Sequence, residues 1–156
     1  MNIYKEKIEK IFAECDKHIL RINSAAKKMQ PAMPLDKERY IHLTEDEIEH
    51  IDQFLFRFSK LQDTIGQKLF KTILMLLEEK VENKPFIDIL HKLEKLELLE
   101  SANDWRELRD ARNELAHNYE DDPEEAAVII NKLYNKKALL IKVYTNIKQY
   151  ARSYIE

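Results

Sequence analysis

Apolar residues recur along most of the chain at steps of three and four positions, the spacing that places them on one face of an α-helix. The pattern predicts five helices and no strands, and hence an all-α fold. We expect the first helix over about residues 2–30 and the second over about residues 45–80. The other three carry their apolar positions at residues 86–96, 105–115 and 128–147. With no linker evident, residues 1–156 are expected to form one antiparallel helical bundle.

Local signals mark several helix ends. The segment Pro31-Ala32-Met33-Pro34 opposes continuation of the first helix, because proline removes a backbone donor and clashes with the preceding turn. Thr44 and Glu47 are spaced as a capping box at the start of the second helix. Asp122 followed by Pro123 is typical of a cap and first residue, so the last helix is expected to begin there.

The second predicted helix carries apolar residues on two lines, which implies burial on more than one side, against its own neighbours, with a second subunit as a further option. Gly66 lies in its middle, where glycine costs about 1 kcal/mol relative to alanine; close approach of another backbone or neutral drift would account for it. Gln62 and Asp63 interrupt the apolar pattern and either line a functional cleft or make polar contacts in a dimer seam. Trp105 is expected in the core, with stacking on a nucleic-acid base as the alternative.

Composition narrows the class of protein. The chain is 44% hydrophobic and 35% charged, and its apolar runs are far shorter than the roughly 20 residues of a membrane span. The N-terminus lacks a basic-then-apolar signal region, so a cytoplasmic location without membrane contact is expected. A single glycine excludes glycine-rich phosphate loops. The net charge of −3 argues against a general nucleic-acid binder but not against a local basic groove.

No metal and no cofactor are expected. Cys15, the only cysteine, lies on an apolar stripe and is predicted to be a buried core residue. Two Glu-x-x-His pairs occur, Glu47 with His50 and Glu114 with His117. Carboxylate-bridged metal bundles need two further inward glutamates, which the pattern does not provide.

Residues 109–123 concentrate the candidate chemistry near the end of the fourth predicted helix. Asn113 and His117 are four apart, so on a helix Asn113 could orient the imidazole. Arg112 and Tyr119 would also share a face if the helix continued that far. Arg112 and His117 lie about 140° apart around the axis, so one helix does not aim both at one phosphate. Two copies across a two-fold axis could, which predicts a dimeric site.

These residue types fit RNA cleavage without a metal. A 2′-hydroxyl attacks the adjacent phosphate when a base takes its proton and an acid protonates the leaving oxygen. Two copies of His117, one neutral and one charged, could divide those roles near neutral pH. Arg112 would hold the phosphate and stabilise the added negative charge in the transition state.

The run Arg112-Asn113-x-x-x-His117-x-Tyr119 resembles the Arg-x4-His-x-Tyr signature of the HEPN superfamily, and most of all the HepT-like toxins. The motif covers residues 112–119, and the chain agrees in size, helical content and position of the motif before the last helix. The resemblance implies a helical homodimer that cleaves RNA, such as tRNA or mRNA, and leaves 2′,3′-cyclic phosphate ends. It also implies a minimal nucleotidyltransferase antitoxin as partner, which would modify Tyr119 with AMP.

Other interpretations stay open. An acidic cluster after the motif would repel RNA, although its structural role would be to cap the last helix: Glu120, Asp121, Asp122, Glu124 and Glu125. Arg112 has no acidic residue one turn away, so a structural ion pair would need another helix. The chain could instead be a non-catalytic partner of a nucleotidyltransferase that binds a nucleotide or presents substrate. A structural dimer that retains the motif is the third possibility.

Overall fold

The structure, a computed structural model, describes residues 3–117 and 119–155. This part of the chain is helical and contains no strand, which confirms the all-α prediction. The α-helices are α1 (Ile3–Met29), α2 (Lys37–Ile41), α3 (Glu45–Thr64), α4 (Phe70–Leu76), α5 (Phe86–Lys95), α6 (Ala102–Asn113) and α7 (Pro123–Ile155). No helix among these residues is both long and apolar enough to cross a membrane.

The predicted second helix is one rod with an irregular centre. A π-helical turn, Ile65–Leu69, joins α3 to α4 and includes Gly66. The rod ends at Leu76 and not near residue 80, because Glu78 adopts a left-handed backbone conformation with φ 62 that a continuing helix excludes.

The connector after α1 holds the short helix α2, which the apolar pattern did not predict. Asp36 caps it, since its side chain accepts a hydrogen bond from Arg39 N at 2.7 Å. The predicted capping box at the start of α3 is confirmed: Thr44 and Glu47 each bond the other's backbone N–H.

Contacts between side chains show how the helices run. His18 contacts Arg57 and Glu14 contacts Thr64, so α1 and α3 are antiparallel. Ion pairs join Asp16 to Lys148 and Glu9 to Arg152, which sets α7 antiparallel to α1. Likewise Glu107 pairs with Lys136 and Glu114 with Lys132, which aligns α6 antiparallel to α7.

Aromatic and aliphatic side chains fill the centre of this bundle. Trp105 of α6 is 2% exposed, and its ring packs edge-on against Phe70 with centroids 4.7 Å apart. Cys15 is fully buried as predicted, and burial raises the pKa of its thiol to about 12. Two apolar residues that fit the helical periodicity, Ile48 of α3 and Val128 of α7, are exposed.

The glycine in the π turn has a specific neighbour. A Cβ atom added at Gly66 would lie 3.0 Å from Cζ2 of Trp105, closer than ordinary packing allows. The close approach is therefore made by an indole side chain and not by another backbone, which corrects one expectation from the sequence.

Candidate functional site

The backbone changes conformation within the sequence motif. Helix α6 ends at Asn113 and continues as a tighter 3-10 turn, Glu114–Ala116. His117 is extended, with φ −92 and ψ 159. Asn113 and His117 therefore do not share a helix face, and neither do Arg112 and Tyr119. The shared face of Asn113 and His117 was expected on a continuous helix, and the shared face of Arg112 and Tyr119 was conditional on the helix reaching Tyr119; because α6 ends at Asn113, neither condition is met.

Two contacts involve the backbone that follows the end of α6. Lys132 of α7 forms an ion pair with the Glu114 carboxylate at 2.8 Å, which fixes the 3-10 turn against the last helix. The N–H of Tyr119 then donates to the carbonyl of His117 at 2.8 Å. The residue between them, Asn118, lies outside the described part of the chain.

Arg112 is anchored by an acidic residue on another helix. Its Nε and Nη2 atoms donate to the two carboxylate oxygens of Asp63 on α3, at 3.2 and 3.1 Å. Both side chains are partly exposed, at 28% for Arg112 and 35% for Asp63. This side-on geometry fixes the plane of the guanidinium group as well as its position.

Two clefts meet at the Asp63–Arg112 pair. The larger, here called the α3–α6 cleft, has a volume of about 600 Å³. It is lined by Gln62, Asp63, Gly66, Gln67, Lys71, Phe86, Trp105, Arg109, Arg112 and Asn113. The second, here called the Tyr119 cleft, has a volume of about 380 Å³. It is lined by Leu55, Phe56, Ser59, Lys60, Asp63, Arg112, Leu115 and Tyr119.

The structure thus brings most of the predicted site residues together and leaves one apart. Arg112, Asn113, Gln62 and Asp63 line the α3–α6 cleft, and Tyr119 lies on the other side of the ion pair. His117 is exposed and is not among the residues that line either cleft. In this arrangement His117 therefore does not share a cleft with Arg112.

The Tyr119 hydroxyl lies in an acidic environment. Burial, followed by the charge of Glu120, raises the pKa of Tyr119 to about 12. Burial and Glu120 also raise the pKa of Asp52, which with Tyr40 lines a further cavity beside Tyr119. The phenol is consequently protonated at neutral pH, and a reaction at its oxygen needs a base to take the proton.

The acidic cluster after the motif has the structural role expected for it at Asp122. Its Oδ1 atom accepts hydrogen bonds from the backbone N–H groups of Glu124 and Glu125 at 3.1 and 3.2 Å. Asp122 therefore caps α7, and Pro123 is the first residue of that helix, as predicted.

Sequence reasoning missed several residues of the larger cleft. Lys71 and Gln67 stand at helix positions that resemble any solvated face, so their type gave no signal. Arg109 begins the candidate segment 109–123 but was given no role in it. The usable signal was the polar pair Gln62-Asp63, which interrupts the apolar pattern at the point where the cleft forms. Among the described residues, no group of three or more His, Cys, Asp or Glu side chains is arranged to hold a metal ion.

Comparison of the chain with protein-family models, with curated proteins and with solved structures finds no match in any of the three.

Proposed function

We propose that this chain is a metal-independent endoribonuclease that resembles the HEPN superfamily toxins. The observation that carries the proposal is the side-on pair that holds Arg112 at the wall shared by two clefts. That pair uses Nε and Nη2, so the N–H groups of Nη1 are outside it. A fixed guanidinium group with further donors at a cleft is suited to binding a phosphate.

The reaction is an intramolecular transfer at phosphorus. A base removes the proton of the 2′-hydroxyl, the 2′-oxygen bonds to phosphorus, and the bond from phosphorus to the 5′-oxygen breaks. An acid gives its proton to that 5′-oxygen. The products are a 2′,3′-cyclic phosphate and a free 5′-hydroxyl. In the proposal one neutral His117 is the base and one protonated His117 the acid, while Arg112 stabilises the charge on the phosphoryl oxygens.

A homodimer completes the proposed site. Because His117 lines neither cleft that Arg112 borders, the imidazole and the guanidinium group would meet across a two-fold axis. The proposal assigns Phe56 to the subunit contact because this ring, 54% exposed, lies at the edge of the Tyr119 cleft beside Arg112. Burial of this ring by a second copy would bring the two motifs close together.

The proposed biological setting is a toxin–antitoxin pair. A minimal nucleotidyltransferase would be the antitoxin and would attach AMP to Tyr119, which blocks the Tyr119 cleft. The phenol is protonated at neutral pH, since its pKa is raised to about 12, so AMP transfer needs a base that removes this proton. Asn113 has the proposed role of orienting the reacting groups from the end of α6.

The position of His117 also favours a second candidate from another class. An exposed imidazole outside both clefts is what a non-catalytic partner of a nucleotidyltransferase would show. Such a protein would bind a nucleotide or present substrate without cutting RNA.

Cleavage of total RNA and of tRNA in EDTA separates the two candidates. The comparison is wild type against His117→Ala, with His91→Ala as the matched control, since His91 is exposed on α5, away from both clefts. The first candidate predicts cleavage by wild type and by the control, and loss of cleavage in His117→Ala. Absence of cleavage by folded wild type with Tyr119 unmodified would contradict it and favour the second.

A further inference from the structure

The α3–α6 cleft is shaped by the irregular turn in the long rod. The π turn at Ile65–Leu69 presents Gly66 to the cleft, and the absent side chain lets the Trp105 indole close its floor. π turns of this kind occur often at functional sites. At about 600 Å³ the cleft falls within the range that holds small-molecule ligands.

The charge of the lining is positive although the chain is acidic. Lys71, Arg109 and Arg112 contribute three positive groups, and Asp63 contributes one negative group, whereas the whole chain carries −3. Of the three cations, only Arg112 takes part in an ion pair in the described part of the chain. The ammonium group of Lys71 and the guanidinium group of Arg109 are therefore suited to an anion in the cleft.

The buried amide of Gln62 indicates what the ligand would carry in addition to the anionic group. Gln62 lines the cleft but is only 3% exposed, and its Oε1 atom has no hydrogen-bond partner. An unpaired buried acceptor is unfavourable, and rotation of the terminal amide can offer it to a donor in the cleft. Phe86 adds an aromatic wall, with the Arg109 guanidinium carbon 5.6 Å from its ring centre.

A ligand for this cleft would carry an anionic group and a hydrogen-bond donor on a ring that packs against aromatic side chains. A single nucleotide has these features. We propose that the α3–α6 cleft binds a single nucleotide, with its phosphate on Lys71 and Arg109 and a base amino group donating to Gln62. This inference rests on the proposed function in one respect: it identifies that nucleotide as the one next to the phosphate held by Arg112. The binding itself needs no cleavage and can be measured alone.

The test is binding of CMP and of inorganic phosphate to the full chain, measured by calorimetry at up to millimolar ligand. Lys71→Ala is expected to weaken both ligands. Gln62→Leu is expected to weaken CMP by about fivefold or more and to leave phosphate unchanged, because only the base contacts the amide. Lys68→Ala is the matched control for Lys71→Ala, since Lys68 lies three positions earlier on the same rod, pairs with Glu14 and does not line the cleft.

Several results would overturn the inference. These are no CMP binding by folded wild type, equal affinity for CMP and phosphate, or CMP binding unaffected by both Lys71→Ala and Gln62→Leu. RNA cleavage reports separately. If CMP binds as expected and RNA is not cut, the nuclease proposal fails and the nucleotide cleft stands. If RNA is cut and CMP does not bind, the nucleotide cleft is wrong and the nuclease proposal stands.

Discussion

Asp63 and Arg112 are 49 positions apart in sequence and form a two-point contact, with N–O distances of 3.2 and 3.1 Å. The contact joins α3 to α6 at the wall between the two clefts. A single-point contact would leave the guanidinium plane free to turn, whereas this one fixes it. The pair is therefore the element that would give Arg112 a defined orientation toward a phosphate.

Asp63→Asn tests that role. The amide has one acceptor oxygen in place of two, its NH2 group faces the other guanidinium N–H, and it carries no charge. Arg112 then loses its fixed plane, and we expect RNA cleavage to fall by about tenfold or more. The free energy of unfolding should change by less than about 1 kcal/mol, because the pair is partly exposed to solvent. Kinetics and urea denaturation measure the two effects.

Asp110→Asn is the control for that variant, since Asp110 is exposed on α6 and lines neither cleft. It should match wild type in both measurements. Cleavage by Asp63→Asn at the wild-type rate would show that the ion pair does not position Arg112 for the reaction.

Gly66 and Trp105 give a prediction about stability. Valine at position 66 would place a Cβ atom 3.0 Å from the indole and further carbons beyond it. Overpacking of this kind costs about 1–3 kcal/mol, more than the gain in helix propensity over glycine. Gly66→Val should therefore lower the unfolding midpoint clearly, while Gln67→Val, at an exposed neighbour, should lower it much less. Equal midpoints would contradict the close packing.

Helix starts can be predicted from the sequence where the capping residues are close to each other along the chain. The capping box of Thr44 and Glu47 and the cap at Asp122 are each complete within a few residues. Their chemistry is independent of the rest of the fold. Local sequence signals were therefore sufficient to predict these helix starts and the all-α class of the fold.

The site was harder to predict because its determinants are distant in sequence. Glu114, Leu115 and Ala116 are ordinary helix formers, and nothing local indicates that α6 ends at Asn113. The ending is associated with a tertiary contact, the ion pair between Glu114 and Lys132. The contact between α3 and α6 at Arg112 is likewise a product of packing, so periodicity could not reveal it.

His18 makes the stability of the bundle depend on pH. Burial, followed by the charge of Arg57, lowers the pKa of His18 below its usual 6.5. As pH falls through 6.5, the unfolded chain takes up a proton that the folded chain does not, so the free energy of unfolding decreases. Arg57 Nη1 lies 3.0 Å from His18 Nδ1 and donates to it, which requires that atom to be unprotonated.

His18→Gln keeps an acceptor for Arg57 and removes the titration. Urea denaturation over a pH series should show a smaller loss of stability toward acid in this variant than in wild type. His42→Gln, at an exposed position, should retain the wild-type slope. The account of His18 is wrong if His18→Gln follows wild type across the whole series.

Phe56 allows the proposed dimer to be tested. A charge in place of this exposed ring should prevent subunit contact without unfolding the chain, because the side chain is not part of the core. Sedimentation should show a dimer for wild type and a monomer for Phe56→Glu, with cleavage lost in the monomer. Leu20→Glu is the control, since Leu20 is 65% exposed on α1. A Phe56→Glu protein that is dimeric like wild type would place the interface elsewhere.

The most direct test of the nuclease proposal concerns the attacking oxygen. Wild-type protein in EDTA is given an RNA that it cuts and the same RNA with a 2′-deoxy sugar at the cleavage position. The account predicts cleavage of the first, with a 2′,3′-cyclic phosphate and a 5′-hydroxyl at the ends, and no cleavage of the second. Cleavage of both RNAs at that position, or cleavage that stops in EDTA, would contradict it.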